Sequence, residues 1–144
     1  MARFTLIERQ GTGVEVRVPD RGSNPQEVGD ELLFIDRELE DKKGNLVGTL
    51  VSRCTIVHRF ARDDVVVAFT ATNKLNKGMM AFTATDKLNK GMINTQGVIR
   101  FNDFTLPNGV TFAIVGGTRK YKKARGTVTG KFVAPDLFFT FRVK

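Results

Sequence analysis

The chain contains one cysteine and one histidine, and they sit four residues apart in TLVSRCTIVHRF (49–60). On a strand, alternation puts Cys54, Ile56 and His58 on a common face. A thiol and an imidazole facing the same way are ingredients of nucleophilic catalysis. No third residue supplies the spacing of a Cys/His/Asn triad, however. Each also has a plainer reading: Cys54 as a small buried hydrophobe and His58 as a packed or hydrogen-bonded strand residue. With one of each, no dedicated metal site is expected. Gly11-Thr12-Gly13 leads into a strand rather than a helix and fails the test of a dinucleotide loop. A second polar set lies in ELLFIDRELED (31–41). Alternation there puts Leu32, Phe34, Asp36 and Glu38 on one face, and Leu33, Ile35, Arg37 and Leu39 on the other. Both faces are partly apolar and the first carries acids. A strand with one solvated face does not read this way. One whose inside lines a pocket and whose outside packs on a partner does.

The elements that must hold these residues are strands. VEVRV (14–18), TLVSRCTIVHRF (49–60) and KFVAPDLFFTFRV (131–143) alternate. VVVAFTAT (65–72) and MINTQGVIRF (92–101) are rich in β-branched and aromatic residues. Turn chemistry separates them at Pro19-Asp20-Arg21-Gly22, Lys43-Gly44-Asn45, Pro107-Asn108-Gly109 and Gly116-Gly117. No long window holds a helical period. A chain of 144 residues, 41% hydrophobic and with twelve Phe and no Trp, fits a single all-β domain over residues 1–144 with a greasy interior. An antiparallel barrel of about eight strands is expected, because its interior just fills or encloses one small ligand.

The charge of +8 raises nucleic acid as a partner. Its densest run, Arg119-Lys120-Tyr121-Lys122-Lys123-Ala124-Arg125, reads as a solvated turn. No nucleic-acid module accompanies it and the other charges are mixed with acids, so no nucleic-acid partner is expected. No segment has the apolar length of a membrane span or a secretory leader. The lone cysteine is compatible with a reducing compartment. A soluble, cytoplasmic protein is the resulting expectation.

Residues 68–93 say nearly the same thing twice. Ala68–Met80 and Ala81–Ile93 differ only at Asn73/Asp86 and Met80/Ile93. Two copies are too few to stack a solenoid, so the second is read as a tandem insertion into another fold. The second copy reaches Met92–Phe101 through the short Asn89-Lys90-Gly91 turn, which nominates it for the barrel. In the alternative, Val65–Thr72 keeps the place and residues 73–90 loop out.

Four segments, in order, resemble the allene oxide cyclase barrel, whose superfamily includes dirigent proteins and bacterial spirocyclases. They are VEVRVPDRGSNP, GDELLFIDRELEDKKGNLVGTLVSRCTIVH, KGMINTQGVIRF and AIVGGTRKYKKARGTVTG. Together they span roughly residues 14–130. The resemblance implies a polar set aimed into the barrel. Glu15 falls on a glutamate implicated in substrate ionisation. Arg17 and Asp36 fall on two asparagines that hold a water. Pro25 falls on a loop proline, and Cys54 on a pocket cysteine. Arg17 and Asp36 depart from the pattern and turn a neutral water site into a charged cluster, within which buried charges must pair.

The function implied is a cyclase or isomerase working without a cofactor. Its substrate would be an apolar, oxygenated molecule derived from a fatty acid or polyketide. Glu15, Arg17 and Asp36 would be catalytic. Pro25, Leu32, Phe34, Cys54, Ile56 and His58 would bind substrate. A non-catalytic or dirigent-like binding barrel is the alternative. A homo-oligomer, dimer or trimer, is expected from the outward Val14, Val16, Val18, Leu33, Ile35 and Leu39, and from the resemblance.

Overall fold

In a computed structural model the protein is an antiparallel β-barrel, and the structure describes residues 2–75 and 91–144. The strands are β1 (Ala2–Glu8), β2 (Val14–Val18), β3 (Glu31–Glu40), β4 (Leu46–Ala61), β5 (Asp64–Leu75), β6 (Gly91–Arg100), β7 (Val110–Gly117), β8 (Gly126–Val133) and β9 (Asp136–Val143). Their order across the sheet is β1-β9-β8-β7-β6-β5-β4-β3-β2, and β1 also pairs with β3. The eight strands β1 and β3–β9 therefore close on themselves. The first half of β3 pairs with β2, from Val14↔Ile35 to Val18↔Glu31. Only its far end meets β1, at Ile7↔Glu40 and Glu8↔Leu39. The closing seam is short because β2 already occupies the rest of that edge.

Period-two patterning accounts for the core. Val65, Val67, Phe69, Ala71, Asn73 and Leu75 of β5 are buried, as are Ile93, Thr95 and Ile99 of β6. KFVAPDLFFTFRV, which alternates as if continuous, is instead a hairpin. Its strands β8 and β9 pair from Gly126↔Val143 to Val133↔Asp136, with the turn at Ala134-Pro135 because proline lacks the N–H a central ladder needs. The stretch ARFTLIE, which carries no turn signal, forms β1 and pairs along its length with β9. The basic run spans the β7–β8 connection, with Tyr121 and Ala124 buried beneath it.

Two bulges change which residues face inward. The β3–β4 register shifts between Phe34 and Arg37, with Asp36 in the left-handed region at φ 55°. Inward residues thus run Leu32, Phe34, Arg37, Leu39, and Leu39 is fully buried rather than outward. Gly13 holds the bulge from the side. Its φ is 67°, and a Cβ there would collide with the Ile35 carbonyl oxygen and the Asp36 backbone. The β4–β5 register shifts between Ile56 and His58, which ends the inward alternation at Ile56.

The first copy of the repeat, not the second, supplies β5. Asp64–Leu75 pairs with β6 without interruption from Val66↔Arg100 to Leu75↔Gly91, so residues 73–75 extend the strand instead of looping out. This keeps Val65 and Val67 in the core and pairs Asp64 with Arg100. Thirteen residues later the corresponding positions are Lys77, Gly78 and Met80, which offer Arg100 a like charge. Residues 76–90, and with them the rest of the expected irregular segment, lie outside the described residues.

Candidate functional site

The barrel encloses a cavity of about 370 Å³, within the range of small-molecule sites. Among the described residues, eight phenylalanines line it: Phe34, Phe69, Phe101, Phe104, Phe112, Phe132, Phe139 and Phe141. Several rings meet edge to face, Phe69 with Phe112 at 4.8 Å and Phe112 with Phe139 at 6.0 Å between centroids. That geometry is favourable for aromatic quadrupoles, and it gives the wall a fixed shape. Phe101, Phe104 and Thr105 come from the 3₁₀ segment Phe101–Thr105 between β6 and β7. The exposed lining residues Gln10, Thr105 and Phe132 mark the opening.

Within this apolar wall lie Glu8 and Arg37, 6% and 7% exposed. Their meeting follows from the strands. On β1, Phe4, Leu6 and Glu8 share the inward face, and Glu8 sits opposite Leu39 across the seam. Arg37 is two residues before Leu39 on the same face, so it lies diagonal to Glu8 and within side-chain reach. Arg37 Nε is 3.7 Å from Glu8 Oε1, and the guanidinium lies 4.9 Å from the Phe34 ring. Burial pushes the Glu8 carboxyl from 4.5 up to about 7; the Arg37 charge opposes that rise and the Asp136 charge adds to it. A carboxyl that ionises near neutrality can both accept and donate a proton. Asp136 is itself held by the Gln10 backbone N–H, which donates to Oδ1 at 3.0 Å, and by Arg9 Nε at 3.4 Å.

Ser52, Cys54, Asn73 and Thr95 complete the polar lining. Asn73 Nδ2 donates to the Ile93 carbonyl at 3.2 Å. Burial, with the nearby Glu8 charge, pushes the Cys54 thiol up to about 12. Cys54 is therefore an inert thiol at neutral pH.

The residues expected from sequence separate into two groups. Phe34 and Cys54 line the cavity. Leu32 and Ile56 are buried in the core without lining it, and Pro25 is half-buried in the β2–β3 loop. Glu15 and Arg17 form a pair at 3.7 Å on β2, but their side chains are 41% and 50% exposed. β2 lies outside the closed barrel, so its residues cannot reach the interior. Asp36 is exposed because the bulge turns it outward and puts Arg37 in its place. The bulge at Val57 likewise leaves His58 exposed against the Phe60 ring. The expected Glu15–Arg17–Asp36 cluster is thus replaced inside the barrel by Glu8 and Arg37.

No protein-family model matches the chain, and no curated protein matches it in sequence. Solved structures match in fold. A pyocyanin demethylase superposes with a TM-score of 0.68 at 21% identity, over 99% of this chain and all of that one. AbnU, an exo-specific intermolecular Diels-Alderase, gives 0.61 at 19% identity over 99% and 98%. The pterocarpan synthase dirigent protein GePTS1 gives 0.60 at 16% identity over 98% and 83%. The chain therefore has the same closed barrel fold as a dirigent protein and a Diels-Alderase.

Proposed function

We propose that the protein is a cofactor-independent isomerase or cyclase. Its substrate is an apolar, oxygenated small molecule, of the kind derived from fatty acids or polyketides, bound in the barrel. The observation that carries this reading is Glu8, a carboxyl poised near neutrality inside a phenylalanine-lined cavity with a guanidinium beside it. In the reaction, the Glu8 carboxylate takes a proton from a carbon next to a carbonyl, and the electrons move onto the carbonyl oxygen beside Arg37. Glu8, now the acid, returns the proton to a different carbon, or to the carbon skeleton as a ring closes. The phenylalanine wall holds a flexible substrate folded for that step. The solved barrels named above include a Diels-Alderase and a dirigent protein, which supports small-molecule chemistry on this fold while leaving the reaction to the site. The aromatic wall alone would also suit a non-catalytic, dirigent-like barrel. Exposed Val14, Val18 and Val98 support assembly as a dimer or trimer.

Nitrobenzisoxazole tests the reading, because its ring opening is an isomerisation driven by one base. The base removes the ring C–H proton, the N–O bond breaks, and the electron pair ends on the phenolate oxygen. The wild-type rate should rise with pH and level off above about 7, and Glu8→Gln should lose about 10²-fold or more. Equal rates in wild type and Glu8→Gln would refute a catalytic Glu8 and leave the binding barrel.

A further inference from the structure

Arg37 brings a guanidinium with an unfilled donor face into the cavity. Its Nε is buried with no hydrogen-bond partner, and the 3.7 Å approach to Glu8 is too long for a hydrogen bond. Buried guanidinium groups normally meet a carboxylate in a forked, two-bond pair. This chain builds forked pairs elsewhere, even where the arginine is partly exposed. Arg21 donates from Nε and Nη2 to the two oxygens of Asp30 at 2.6 and 2.8 Å, and Arg100 does the same to Asp64. Arg37 alone among these three faces a cavity. We infer that the ligand is an apolar molecule bearing a single oxyanion, a carboxylate or phenolate, which docks on Arg37 beside Glu8.

This rests on the proposed small-molecule site and deepens it by fixing the charge arrangement that the site favours: an oxyanion on Arg37 beside a protonated Glu8 is the state reached once Glu8 has taken the substrate's proton. The charges around Glu8 support a monoanion. Arg37 faces it from β3, Cys54 from β4 and Asp136 from β9. Cys54 is neutral at physiological pH, and Asp136 is already matched by Arg9. When Glu8 holds its proton, the positive charge of Arg37 stands unbalanced in an apolar room, and one negative charge offsets it. An anion on Arg37 also disfavours ionised Glu8, so binding above pH 7 should draw in a proton.

The experiment is titration calorimetry of the full chain with naphthoate and with its neutral isostere naphthamide, in two buffers of different ionisation heat between pH 6 and 9. Naphthoate should bind at least tenfold more tightly than naphthamide at pH 6. Above pH 7 it should bind with proton uptake and lose affinity by up to tenfold per pH unit. Arg37→Met should abolish the preference, while Glu8→Gln should keep it and remove the proton uptake. The inference is overturned by equal binding of the two compounds, by binding of neither, by a preference that survives Arg37→Met, or by naphthoate binding without proton uptake above pH 7. The last comparison needs only the wild type, so it decides the matter even if Arg37→Met does not fold. Loss of the catalytic reading would appear differently, as an unchanged ring-opening rate in Glu8→Gln alongside an intact preference for naphthoate.

Discussion

Replacing Glu8 with glutamine should stabilise the protein at alkaline pH and leave it unchanged in acid. Glu8 is almost wholly buried and its carboxyl lies at about 7 in the folded state, against 4.5 ordinarily. Below pH 4.5 the group is protonated both folded and unfolded, and it makes no difference to stability. Between 4.5 and 7 the unfolded chain releases its proton and the folded chain keeps it, so stability falls as pH rises. Above 7 both are ionised and the loss is complete, at about 3 kcal/mol. Glutamine has nearly the same shape and does not titrate. The difference between variant and wild type should therefore grow from near zero at pH 4 to about 3 kcal/mol at pH 8. The melting temperature of the variant should then be higher by on the order of 10 °C. Urea unfolding of both proteins across this range measures it, and the other titrating groups cancel because both proteins share them. A difference that is flat with pH, or that favours wild type at pH 8, would refute the assignment of Glu8 as a carboxyl destabilised by burial.

Glu15→Gln and Asp36→Asn should each change stability by no more than about 0.5 kcal/mol and leave the ring-opening rate intact, since both side chains are exposed; a loss of rate in either would return them to the site. Gly13→Ala should cost about 2 kcal/mol or more in urea unfolding, from positive φ and collision with the bulge backbone; a neutral result would mean the bulge yields. Cys54 should resist iodoacetamide at pH 8 in the folded protein and react in denaturant, as mass spectrometry would report; rapid labelling of folded protein would contradict its burial. Deleting residues 76–88 restores a single copy of the repeat and shortens the connection between β5 and β6. By loop closure it should raise stability by up to about 2 kcal/mol, read as the urea midpoint; unfolding would make the insertion structural.

The strands were legible because burial writes itself as a period of two, and β4 as far as Ile56, β5 and β6 follow that period closely. The site was less so. Leu32, Phe34, Asp36 and Glu38 form a convincing inward face only if the backbone never slips. One extra residue at the β3 bulge exchanges Asp36 for Arg37, and a bulge is fixed by backbone geometry that side-chain pattern does not encode. The same slip at Val57 removed His58. Leu39 held the available signal, since Phe34 and Leu39 lie an odd number of residues apart and can share one inward face only if the alternation slips once between them. Glu8 is a different case. Phe4, Leu6 and Glu8 alternate on one face, so an acid continues an apolar stripe, but so short a stretch does not reveal that β1 closes the barrel between β9 and β3.

Asn73 now takes on a significance beyond lining the pocket. The sequence contains a near-duplicate of the segment that forms β5, and most of its side chains would suit that place equally. At the one internal difference, the amide of Asn73 gives a hydrogen to the Ile93 carbonyl. Asp86, its counterpart, would present a carboxylate to that oxygen, with no hydrogen to give and a buried charge to house. An unpaired buried acceptor costs about 1–3 kcal/mol, and a charged one more. Two competing alignments are thus separated in part by one nitrogen in place of one oxygen. An Asn73→Asp, Asp86→Asn exchange would invert that bias, setting it against the Val65, Val67 and Asp64 contacts that still favour the first copy.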